Sequence, residues 1–82
     1  MHELNKRLSE LVDQPVSLQL IIDGAKVGTK GTLAFKESLG PFDPDGNNSW
    51  IVGSQFDLSI FETRHVAAIV GSYIRLENEP YE

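Results

Sequence analysis

The sequence contains no cysteine. That excludes a disulfide framework and any thiolate metal site, and it fits a protein expected in the cytoplasm. No apolar run approaches the ~20 residues needed to cross a bilayer, so no membrane association is expected. The first residues, Met1-His2-Glu3-Leu4-Asn5-Lys6-Arg7, lack the apolar stretch of a signal peptide. Basic residues are scarce as well: seven Lys and Arg stand against twelve Asp and Glu, a formal charge of −5. This balance argues against sequence-independent capture of a polyanion, while leaving room for a local basic patch. His2 and His65 are the only histidines, and neither has a companion at metal-ligand spacing. His65 with Ser54, Ser59 or Ser72 has no spacing that marks a nucleophile and its base, so His65 is expected on the surface in a turn. Gly24, Gly28 and Gly31 are not followed by the Gly-Lys-Ser/Thr of a phosphate loop. The chain is therefore expected to be no enzyme and to hold no metal or cofactor.

What is present is periodicity. Leu4, Leu8, Leu11 and Val12 fall on one helical stripe, with Asn5, Lys6, Ser9, Glu10 and Asp13 opposite, which predicts a helix over about 3–13. Pro15 stops it, because the residue before a proline is pushed out of the α region. From there the period becomes two. Val16, Leu18, Leu20 and Ile22 predict a strand, Asp23-Gly24 a tight turn, and 27–37 a return strand. Gly28 and Gly31 lie inside that return strand, where glycine marks a bulge or a bend. Residues 39–48 hold two prolines, two glycines and two asparagines, and read as an exposed, flexible loop that carries Phe42. Asp43-Pro44-Asp45-Gly46-Asn47 lacks the glycine and glutamate placement of a calcium loop and reads as a turn. Ser49 to Gly53 resumes as a strand, Phe56, Leu58 and Ile60 mark the next, and Thr63-Arg64-His65 is a short connection. The stretch from Val66 to Leu76 pairs an apolar run with Gly71 and ends as a strand. Residues 78–82 form an acidic tail.

One helix followed by about five short, bent strands predicts an all-β small barrel of residues 15–77 within a single domain spanning 1–82. This order resembles the Sm-like (LSm and Hfq) family of SH3-like barrels. Its first signature is echoed by Val16 to Ile22, Asp23-Gly24 and Gly31-Thr32-Leu33, with Glu37 near the acidic position. Its second is echoed by Ile69-Val70-Gly71-Ser72-Tyr73-Ile74. Val70 and Ser72 stand where the family has arginine and an acid or amide, so the family's uridine pocket does not form in its usual way.

The resemblance implies a cyclic homo-oligomer of five to seven subunits, joined edge to edge through the last strands, here Ile69, Val70, Tyr73 and Ile74. It also implies single-stranded RNA as a ligand of altered specificity. Lys26, Lys30, Lys36, Asn47, Asn48 and Arg75 are the candidate contacts, Arg64 is a further phosphate contact, and Phe35, Phe42, Trp50 or Tyr73 offer stacking surface. The competing expectations are that the lysines guard strand edges, that Trp50 is core, and that the chain is a structural or protein-interaction SH3-like module.

Overall fold

The computed structural model describes residues 1–22, 25–55 and 58–77, the side chains of 20–22 and 25–27 excepted. It is mostly β: an N-terminal helix, α1 (His2–Leu11), is followed by β1 (Pro15–Ile22), β2 (Ala25–Phe35), β3 (Ser49–Gly53), β4 (Leu58–Glu62), β5 (Val66–Val70) and β6 (Tyr73–Leu76). Short 3-10 turns cover Glu37–Leu39 and Thr63–His65. The helix stops two residues before the expected end. Val12 is already extended and bridges to Leu33, while Asp13 takes φ +68° and donates its N–H to the Leu33 carbonyl at 2.8 Å. Pairing with β2 thus draws the chain out of the helix before Pro15 acts.

The six strands form one sheet in the order β4-β3-β2-β1-β6-β5, open at β4 and β5, rather than a closed five-stranded barrel. The reason lies at Gly71. Its φ of +59°, free for a residue without a Cβ, turns Val70 back onto Tyr73, so 66–76 becomes a hairpin of two strands. The sixth strand then lies parallel to β1, with Ser17 against Tyr73 and Gln19 against Arg75. Ile22 pairs with Ala25; the tight turn expected at Asp23-Gly24 lies outside the described residues, as do Phe56 and the tail 78–82.

β2 pairs with β1 through Thr32 and with β3 from Thr32 to Phe35. A methyl group at Gly31 would collide with the Gly53 carbonyl, so glycine there permits the close approach of β2 and β3. At Gly28 the ladder runs on without a bulge. The sheet is strongly curled. Thr29 Oγ1 and Ser59 Oγ, on strands two apart and ~9.6 Å distant in a flat sheet, meet at 3.0 Å.

Inside the curl lie Leu8, Val16, Leu18, Leu33, Trp50, Val52, Phe61, Val66, Ile69, Ile74 and Leu76, with Leu4, Leu11, Val12 and Phe35 packed against them. The helical stripe and the Trp50 core position are as expected. In β4 the faces are reversed: Phe61 is buried, whereas Leu58 and Ile60 point outward. Among the described residues no helix is long and apolar enough to cross a membrane.

Candidate functional site

The most connected polar region joins α1, the 41–48 loop and the turn after β4. Asn5, expected on the wet face of the helix, is fully buried. Its Nδ2 donates to the carbonyls of Gly46 (2.7 Å) and Pro44 (3.1 Å), and its Oδ1 accepts from Thr63 Oγ1 at 2.8 Å. Thr63 Oγ1 in turn accepts from the Trp50 indole at 2.9 Å. Three buried side chains thereby satisfy one another, which is the condition for carrying polar groups in a core. The sequence does hold a signal: Asn5, Leu8 and Val12 are spaced i, i+3, i+7, so Asn5 lies beside the apolar stripe.

The 41–48 loop lacks regular structure but is anchored. Asn48 is buried; its Oδ1 accepts from the Asp43 N–H at 2.8 Å and its Nδ2 donates to the Asp43 carbonyl at 2.7 Å. Asn47 Nδ2 donates to Glu62 at 2.7 Å, and its Oδ1 accepts the Arg64 N–H at 2.9 Å. Both amides expected among the RNA contacts are therefore engaged within the chain. Asp43 Oδ1 accepts from Asp45 N–H, and Asp45 meets His2 Nδ1 at 3.0 Å. Among the described residues no group of three acids or histidines converges as metal ligands would. Phe35, Phe42 and Trp50 stack edge to face with centroids 5.5–6.1 Å apart. Phe42, 42% exposed, borders a groove of about 410 Å³ lined also by His2, Asn5, Lys6, Ser9, Glu10 and Pro44. His65, expected on the surface, is buried in the 3-10 turn, and its Nε2 has no hydrogen-bond partner.

The candidate cations do not share one place. Lys36, half-buried, begins the Glu37–Leu39 turn, six residues and so about 20 Å along the chain from Lys30. Arg64 is paired with Glu62 at 3.2 Å. The side chain of Lys26 lies outside the described residues. Lys30 and Arg75 do share a face. On the outside of the sheet Lys30 pairs with Ser17, Ser17 with Tyr73, and Arg75 follows Tyr73 two residues along β6. Tyr73 is half-exposed, and neither Lys30 nor Arg75 is ion-paired with an acid among the described residues.

The four residues assigned to a subunit contact divide by face. Ile69 and Ile74 are buried in the chain's own core, and β5 pairs with β6 within the chain. Val70 and Tyr73 are exposed. The apolar run 66–70 thus has its inner face covered by the chain itself, and its outward residues Ala67 and Val70 are open. No protein-family profile, curated protein or solved structure matches this chain.

Proposed function

We propose that the chain is a non-catalytic Sm-like binding module that takes single-stranded RNA on the outer face of its sheet, as a ring of five to seven copies. The observation that carries the reading is the placement of Tyr73 between Arg75 on its own strand and Lys30 two strands away. An exposed ring flanked by cations that have no acidic partner among the described residues offers one stacking platform and two phosphate contacts, and base stacking is worth ~1–3 kcal/mol without demanding a sequence. Ser17 and Gln19, also on that face, supply polar side chains between them.

The test is a titration of labelled U-rich and A-rich single strands at low and moderate salt. Saturable, salt-sensitive binding is expected. Lys30→Glu with Arg75→Glu should weaken it and reduce the salt slope by about 1.4, at ~0.7 per phosphate contact. Affinity unchanged in that double variant would overturn the assignment.

A second reading, a protein-interaction SH3-like module, draws on the net charge of −5 and on half-exposed Phe42 beside the groove against α1. Absence of RNA binding at micromolar protein, with the fold intact, favours it.

A further inference from the structure

We infer that the groove between α1 and the 41–48 loop takes a short extended peptide segment of another protein, an apolar residue set between an acidic and a basic one. The groove shares no residue with the Lys30–Tyr73–Arg75 face. It rests on the protein-interaction reading and deepens it by naming what is bound. The helical wall is one stripe of α1, where His2, Lys6, Ser9 and Glu10 follow at i, i+4, i+7 and i+8 above the buried Asn5. The facing wall is Phe42 and Pro44. The two are joined across the floor, where Asn5 Nδ2 donates to the Pro44 carbonyl at 3.1 Å and to the Gly46 carbonyl at 2.7 Å. Phe42 is seated against Phe35 and Trp50, and the Asp43 N–H is held by Asn48 Oδ1 at 2.8 Å. The groove is thus formed before anything enters it, which spares a ligand the cost of ordering it. At about 410 Å³ it lies at the small end of ligand sites, roughly 300–1,000 Å³, with room for one apolar side chain and a stretch of backbone.

Charge and spacing set what enters. Among the described residues the ion pairs are His2–Asp45 and Arg64–Glu62, so Lys6 and Glu10 have no partner of opposite charge there. Four residues of helix separate them, a rise of about 6 Å. Alternate residues of an extended chain point the same way ~6.6 Å apart, and the residue between them points the other way. An acid and a base at alternate positions therefore meet Lys6 and Glu10 together, while the middle residue faces Phe42 and Pro44. A nucleic-acid strand would set a phosphate against Glu10, and a segment of one charge would oppose one of the two side chains. Of this chain's own segments only Arg75-Leu76-Glu77 has the pattern, and Leu76 is buried in the core. The occupant is therefore a segment of a different protein.

The experiment is an amide NMR titration of the full chain with short capped peptides, without RNA. Peptides centred on Asp-Leu-Lys and Lys-Leu-Asp represent the two directions in which a segment can run. One of them is expected to saturate and to move the resonances of Lys6, Glu10 and Phe42. Lys-Leu-Lys and Asp-Leu-Asp should bind about fivefold more weakly, the worth of one exposed ion pair. Asp-Gly-Lys should bind more than about tenfold more weakly, through the lost apolar contact. In Lys6→Glu, an exposed position at which circular dichroism checks the fold, the preference should move to Lys-Leu-Lys. No saturation by either mixed-charge peptide at millimolar concentration overturns the inference. So does an unchanged ranking in Lys6→Glu, or a groove whose resonances move only when single-stranded RNA is added instead. Failure here removes this groove and its ligand alone; the protein-interaction reading falls separately, on saturable RNA binding in the strand titration.

Discussion

The region beneath α1 and the edges of the sheet treat their hydrogen-bonding groups in opposite ways. Under the helix, Asn5, Thr63, Trp50 and Asn48 are buried and take one another or loop carbonyls as partners. At β4 and β5, among the described residues, one flank of each backbone stays unpaired, and exposed side chains of these strands are Leu58, Ile60 and Val70. The first region is complete within one chain, since a buried donor left without an acceptor would cost more than the bond itself is worth. The second is left open at the surface of the sheet. The contrast separates what stabilises the fold from what the fold leaves exposed.

The sharpest way to break this comparison uses neighbouring residues on one strand. Ile69→Asp puts a charge into the core with no partner, at a cost of roughly 3–5 kcal/mol. Loss of the cooperative thermal transition is expected, and a folded variant of lower mass would return Ile69 to the interface. Next in size is Thr63→Val, which leaves the Trp50 indole and the Asn5 amide oxygen each without a partner, at about 3 kcal/mol in all. At ~4–8 °C per kcal/mol for a domain of this size, a fall of more than 10 °C in Tm is expected. A fall of under 3 °C would mean that the hub contributes little. The smallest effect belongs to the edges. Val70→Asp should change the stability of the isolated chain by no more than ~0.5 kcal/mol, read from urea denaturation at dilute protein. A larger loss would place Val70 among the stabilising residues of the single chain.

Much of the element order was legible in sequence, and the exceptions have identifiable causes. The helical stripe, the strand at Ser49–Gly53 and the connection at Thr63–His65 follow from spacing and turn residues, which are local properties. The count of strands did not follow, because Val66 to Leu76 reads as one mostly apolar stretch and the positive φ at Gly71 is what divides it. In β4 the alternation of Leu58 and Ile60 suggested the wrong inner face, since Phe61 in the opposite phase pairs with Trp50 and is drawn into the core. Asn47 and Asn48 read as loop residues free to meet a ligand. Their side chains instead bind Glu62, the Arg64 backbone and the loop itself.

By itself the sequence determined a cysteine-free acidic chain, one helix with an apolar stripe, and β strands punctuated by glycine and proline. These are short-range consequences of side-chain spacing and backbone sterics. Only the tertiary structure decided that Asn5 is a core residue, that Lys30, Tyr73 and Arg75 share a face, and that β4 and β5 are the two open edges. Each of those facts depends on which strands pair and in what register. That choice is made by burying the whole apolar surface at once, and no single stretch of the chain encodes it.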